Sequence, residues 1–387
     1  MPGEAPGPLS AADLTPGGVL GRSAETAAIR RMLDGERLVT VTGLPGVGKT
    51  AVGLVAATAA AGSFADGTLL VRLDPLRDEV LLPHTILAAL GLPDRFTSSP
   101  LEVLTDQLRD RHMLLVFDTC EHLIGACAGL TAALLESCPK MQILATSREP
   151  LRVPGESVMS IRPLRLRAAM ALFGRRAAEA GLTIAPENRA AVASICVQLD
   201  KLPLAINLAA GDLASGEPAQ RKPAQRKPAL RRSMSAPLAR LLGRLEAGYD
   251  FLRDPGQPIA RHQTLRAAIG WSHELCTPAE RLLWARLSVF TGPFRLPDAQ
   301  DVCTTSLLPD EAVAAGLSLL TERSVLLADE QAGGDRSFLL PVTLRAYGRY
   351  MLRRLAEDAA FRDRYQRWRD GHRRDGRRRD HGAPAAK

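Results

Sequence analysis

The sequence predicts an α/β fold: a parallel sheet with helices on both faces, followed by a helical subdomain and a winged-helix-like domain. Three observations lead there. Short β-branched or aliphatic runs alternate with helical stretches as far as residue 161, the strand signal then gives way to three successive helical patterns, and two short strands return between helices near residue 330.

Residues 1 to 18, rich in Pro, Gly and Ala, read as a flexible leader. From there the pattern gives a helix over 23–33, a strand over 38–42, a helix over 49–61 and a strand over 68–73. Helices over 85–90 and 101–109, a strand over 113–117, a helix over 124–136 and a strand over 142–145 continue it. The all-apolar run MLLVF suits a central strand covered on both faces. An edge strand is expected over 157–161, and stretches 164–180, 188–199 and 204–213 carry apolar residues at helical spacing. The tandem pentapeptide PAQRKPAQRKP, 218–228, holds no core-forming residue and reads as a solvated insertion. Helices over 237–252, 264–276 and 278–287 lead to 313–320, to strands over 325–328 and 337–340, and to a helix from Val342, a winged-helix order. After Trp368 apolar content is scarce, so the last segment reads as an unstructured tail.

A chain of 387 residues is too long for one small module. Its longest apolar runs, such as Leu54 to Ala61, fall short of the ~20 residues of a membrane span, and the N-terminus lacks the basic and apolar regions of a secretory signal. A cytoplasmic protein with no membrane partner is expected. The net charge of +8 invites a nucleic-acid reading, but residues 362–387 carry +6 and residues 218–232 another +6, leaving −4 on the rest. The basicity therefore does not describe a DNA-reading surface. Six cysteines without a CxxC pair, and His122, His262 and His273 without companions, give no metal cluster. Trp271 and Trp284 stand at helical positions that fill a core.

Chemistry enters at LVTVTGLPGVGKTA, where a β-branched strand runs into GxxxxGK[ST]. Glycines at Gly43, Gly46 and Gly48 let successive N–H groups point into one concavity, and the helix that follows adds the positive end of its dipole. A polyphosphate fits there, so the sheet is of the P-loop NTPase kind. The binding segment is Gly43, Leu44, Pro45, Gly46, Val47, Gly48, Lys49 and Thr50, with Ala51 following. Lys49 is expected on the β and γ phosphates and the Thr50 hydroxyl on Mg²⁺. Asp118, closing MLLVFD, supplies the second Mg²⁺ contact. Thr119 stands where many hydrolytic P-loop proteins have a second acid, leaving Glu121 as the candidate base or a solvated helix-start residue. Arg148, in ILATSRE, leaves the sheet on the same edge and can sense a γ-phosphate.

In order, VLGR, GLPGVGKT, LLVFDTCEHL, ILATSREPL, CVQLDKLPLAINLAA, RHQTLRAAIGWSHEL, LSVFTG and TERSVLL resemble the NB-ARC (AP-ATPase) type of STAND P-loop ATPases, as found in bacterial LuxR-type and antibiotic-regulatory transcriptional regulators. The resemblance runs from about Val19 to Tyr350. It implies three domains closing around ADP and opening on exchange for ATP, with Leu20, Gly21 and Arg22 on the adenine and ribose side, Arg148 as γ-phosphate sensor and Pro203 against the base. Departures are Lys201 for the Gly of GLPLA, Thr119 for the Asn of DNCEH, and Leu340-Pro341-Val342 in place of a His-Asp pair or Glu, which removes an expected third-domain phosphate contact.

The chain divides accordingly into a leader (1–18), a P-loop nucleotide-binding domain (19–162), an ARC-like helical subdomain (163–214), a basic low-complexity loop (215–236), a helical and winged-helix-like domain (237–355) and a basic, mostly disordered tail (356–387). The functional expectation is an ATP/ADP-binding switch with slow hydrolysis in signal-dependent transcriptional regulation, engaging a signalling partner or its own copies in the ATP state. A continuously active ATPase and a DNA-binding regulator acting through the winged-helix unit are the alternatives. Specific DNA binding by this chain alone is not expected, because 306–321 holds only Asp310 and Glu311 as charged residues.

Overall fold

The computed structural model describes residues 7–8, 19–92, 99–215, 235–249, 252–253, 263–330 and 336–380. The repeat at 218–228 lies outside them. Two compact units result: residues 1–197 with 201–216, and residues 217–387 with 198–200.

In the first unit, strands β1 (Gly7–Pro8), β2 (Leu38–Gly43), β3 (Thr68–Arg72), β4 (Leu114–Asp118), β5 (Gln142–Thr146) and β6 (Glu156–Ile161) form one sheet in the order β1-β3-β4-β5-β2-β6. The last five are parallel, as the alternation of strand and helix requires. Within the expected leader, Gly7–Pro8 instead pairs antiparallel with β3 and extends its edge. β2 and β4 are buried along their whole length, which explains why LVTVT and LLVF carry no alternation.

Helices α1 (Ser23–Leu33) and α2 (Lys49–Ala60) cover one face of the sheet. The other face packs Leu69, Val71, Leu115, Phe117 and Ile143 against α3 (Leu81–Ala89), α4 (Pro100–Leu108) and α5 (Ile124–Ser137). Helices α6 (Leu166–Glu179), α7 (Arg189–Gln198) and α8 (Pro203–Ser215) follow. Ahead of α8, Lys201 takes the left-handed φ of 56° that the Gly of GLPLA would hold without strain.

The second unit holds α9 (Ala236–Ala247), α10 (Leu265–Glu274), α11 (Pro278–Leu287), α12 (Leu296–Cys303), α13 (Asp310–Glu322), hairpin strands β7 (Leu327–Glu330) and β8 (Arg336–Leu339), and α14 (Val342–Arg354). Thr277 and Glu280 cap α11 reciprocally, Thr277 N donating to Glu280 Oε2 (2.8 Å) and Glu280 N to Thr277 Oγ1 (3.3 Å). Phe294 exchanges both backbone hydrogen bonds with Phe338, so a third segment borders the hairpin. Trp284 fills the core and donates its indole N–H to Leu344 O at 3.1 Å, whereas Trp271 is half-buried.

Two expectations need correction. Leu296–Cys303 is a helix that periodicity did not reveal, because it is two turns long. The segment placed in a disordered tail carries α15 (Asp358–Asp380), since Phe361 and Tyr365 are buried on one face and Tyr365 and Trp368 meet the ring of Phe290. No helix among the described residues is long and apolar enough to cross a membrane.

Candidate functional site

Parallel strands end together, so the residues leaving β2, β4 and β5 converge on one edge of the sheet. After β2 the backbone turns through Gly43 (φ 145°), Gly46 (73°) and Gly48 (97°), the last being the left-handed N-cap of α2. Two of these glycines are also demanded by space. A Cβ on Gly43 would lie 2.5 Å from Ile161 O, and one on Gly46 would lie 2.8 Å from Leu204 Cβ. Leu44, Pro45 and Val47 are buried, leaving the loop's backbone and Lys49 to form the concavity.

Lys49 Nζ donates to Gly43 O (2.9 Å) and Leu44 O (3.3 Å), which holds the ammonium within the loop. Thr50 Oγ1 donates to Asp118 Oδ1 at 2.7 Å. These are the two oxygen donors expected for Mg²⁺, and β5 separates their strands, so their meeting is a consequence of the whole sheet. Thr146, at the end of β5, holds the acid and the residue after it: its Oγ1 donates to Asp118 Oδ1 (2.6 Å) and accepts from Thr119 N (2.9 Å). Sequence reasoning missed Thr146. Its only signal was a hydroxyl residue at the strand end nearest the acid. Thr119, in the place of a second acid, has φ 72° and is fixed by that bond.

Glu121 and Arg148 meet in a buried ion pair, Nε to Oε1 3.0 Å, with side chains 5% and 7% exposed. The candidate base and the candidate phosphate sensor thus hold each other. His122 is structural, its Nε2 lying 3.0 Å from Leu73 O and 2.9 Å from Leu76 O.

Arg22 is 2% exposed and reaches the loop itself, donating from Nη2 to Val47 O (3.0 Å) and from Nη1 to Arg162 O (2.8 Å) and Glu25 (2.8 Å). It clamps the loop from behind. Gly21 abuts α6, where a Cβ would come within 2.5 Å of Ala168 Cβ, while Leu20 is half-buried beside it. At the N-terminus of α8, Leu204 N donates to Gly46 O (3.1 Å) and Pro203 Cγ lies 3.9 Å from the position of a Cβ on Gly48. Ala51 is half-buried in the first turn of α2.

The donor set fits its expected ligands. Three positive-φ glycines make a cradle, a lysine sits at its centre, and a hydroxyl and a carboxylate oxygen, the kind of donors Mg²⁺ takes, stand side by side.

Residues 277–353 match the family model described as a winged helix-turn-helix domain. By fold, the chain is similar to the Walker-type ATPase PABY2304 of Pyrococcus abyssi (TM-score 0.55, 14% identity, 88% of this chain and 98% of that one). It is also similar to the ORC2 protein of Aeropyrum pernix (TM-score 0.51, 12% identity, 90% and 98%). Rv0890c of Mycobacterium tuberculosis, whose name proposes an HTH-type transcriptional regulator, is 38% identical over 88% of this chain. That match covers 36% of the relative, so the chain spans about a third of the length of such proteins. The uncharacterized protein Rv0894 of Mycobacterium tuberculosis is 36% identical over 73% of this chain and 68% of its own length. At that identity and coverage, the chain belongs to the same family as Rv0894.

Proposed function

We propose that the chain is a nucleotide-operated switch of the STAND, NB-ARC type that binds ATP and ADP with Mg²⁺, hydrolyses ATP slowly and serves signal-dependent transcriptional regulation. The observation that carries this reading is the 2.7 Å contact between Thr50 and Asp118 beside a loop with Lys49 inside it.

The loop N–H groups and the N-terminus of α2 take up phosphate charge, and Lys49 exchanges its carbonyl partners for phosphate oxygens. Thr50 and Asp118 would hold Mg²⁺, which would neutralise charge building on the phosphates. Hydrolysis breaks the bond between the γ-phosphorus and the β–γ bridging oxygen as water adds, giving ADP and inorganic phosphate. Glu121 would receive the water's proton and Arg148 would face the γ-phosphate, yet their mutual ion pair must open first. That pair, and a threonine at position 119, support slow turnover over continuous ATPase activity. The names of the longer relatives support a place in transcription. Direct DNA reading is not favoured, because the exposed positions of α13 include Asp310, Glu311 and Glu322 and no cation.

Calorimetric titration with ADP, ATP and GTP in magnesium buffer tests the proposal. Lys49→Ala is expected to weaken purine-nucleotide affinity about 100-fold or more, through loss of a charge-assisted contact. Steady-state phosphate release is expected to be slow and to fall further in Glu121→Gln. Absence of any purine-nucleotide binding by the folded wild-type chain overturns the switch.

A further inference from the structure

Within the second unit lies a cavity of about 580 Å³, a size that takes a small organic ligand. Its character is set by arginines. Arg345, Arg349 and Arg353 stand at four-residue intervals along one face of α14, and Arg266 from α10 and Arg362 from α15 join them. Among the lining residues Glu246 is the one acid.

Like charges at this spacing repel, and partial burial makes the repulsion more costly. Burial, then Arg345 and Arg362, push the Arg349 guanidinium below its ordinary range, and Arg353 adds to this, while Asp358 opposes it. Nearby carboxylates offset part of this charge: Asp358 pairs with Arg362 at 2.8 Å, and Asp200, which feels the charge of Arg345, accepts from Val342 N, Thr343 N and Thr343 Oγ1 at 2.7–2.8 Å, but the five arginines still outnumber them and Glu246. Two of the guanidinium heads are held in place by carbonyls, which orient without neutralising. Arg349 Nε donates to Ser288 O (3.3 Å) and Arg345 Nη1 to Phe290 O (3.4 Å). A guanidinium has five N–H donors, so each keeps most of them for another acceptor.

The walls are aromatic as well as cationic. Tyr347 and Tyr350 line the cavity, and the Arg266 guanidinium lies 4.5 Å from the Tyr350 ring centre. Tyr249 also lines the cavity and is fixed by donating its hydroxyl to Gln198 O at 2.9 Å. Clustered guanidiniums match phosphate oxygens in charge and geometry, and tyrosine faces accept a flat ring.

We propose that this cavity is a second, separate anion site, built for a phosphorylated small molecule with an aromatic ring. It shares no residue with the Gly43–Thr50 loop, so it stands or falls independently of the switch reading. Concavity and ligand-sized volume favour a small molecule over a nucleic-acid backbone.

The test titrates the full chain with AMP, adenosine and inorganic pyrophosphate by calorimetry, in the Lys49→Ala background to silence the loop. AMP and pyrophosphate are expected to bind, adenosine at least tenfold more weakly than AMP. Arg345→Ala with Arg349→Ala is expected to weaken both anions tenfold or more. Arg353→Glu, at an exposed position that spares the fold, is expected to weaken them at least threefold and decides the matter if the double variant unfolds. No binding to the Lys49→Ala protein, adenosine binding as tightly as AMP, or undiminished affinity in the folded arginine variants overturns the proposal. So does displacement of AMP by a short DNA duplex that binds tighter than AMP and loses affinity in the same variants, which would make the surface a nucleic-acid contact.

Discussion

Asp118 ends a buried strand and receives two hydroxyls on one oxygen, from Thr50 at 2.7 Å and Thr146 at 2.6 Å. A buried carboxylate needs such donors, because leaving it without them costs several kcal/mol. Thr50 and Asp118 were legible in the sequence, since each sits in a short local pattern: a lysine-threonine pair after glycines, and an acid after an apolar run. Thr146 was not, because its role depends on the parallel register that sets Asp118 opposite it. Replacing that hydroxyl in Thr146→Val, with shape preserved, removes the bond to Asp118 and the acceptor of Thr119 N. The unfolding free energy, measured in urea, is expected to fall by about 1–2 kcal/mol. The pairing of Glu121 with Arg148 was equally hidden, although both residues were legible one at a time.

Among the elements, strands and long helices of the first unit follow the expected pattern within a few residues, for burial on one or both faces writes its period into the sequence. The exceptions are instructive. α12 is eight residues long, too short for a period, and its start is marked by Arg295 N donating to Asp298 at 2.8 Å. α15 is mostly charged, which resembles disorder, yet Phe361, Tyr365 and Trp368 recur at helical spacing and find Arg286 and Phe290 to pack on. Arg286 is itself buried and doubly bonded to Glu357 just before the helix, both contacts 3.0 Å. Phe361→Ala is therefore expected to lower stability by about 3 kcal/mol and to reduce far-ultraviolet helical signal, whereas a disordered tail would register neither.

For the whole molecule, the sequence-level charge count hides a local excess. Four arginines of the mildly acidic body, joined by Arg362 of the basic C-terminal segment, gather around one cavity, because helices α10, α14 and α15 bring together residues up to 96 positions apart. Global stability carries a pH dependence of its own. Burial, and then Arg281, lower the His273 pKa to about 4 from 6.5, with the Trp284 and Tyr347 rings 5.7 and 5.4 Å away. The native state then binds this proton less readily than the unfolded chain, so the stabilisation is present above pH 6.5 and is lost as pH falls toward 4. At about 1.4 kcal/mol per unit, up to ~3 kcal/mol is at stake. Urea unfolding at pH 7 and pH 4.5 is expected to show this slope, and His273→Phe to flatten it. By itself the sequence determined the parallel α/β sheet, the phosphate-type loop and the winged-helix order, because each is a local pattern of size, polarity or backbone freedom. Only the tertiary structure decided that Thr146 completes the site, that Glu121 holds Arg148 and that the arginines converge, because those contacts depend on strand register and helix packing between residues distant along the chain.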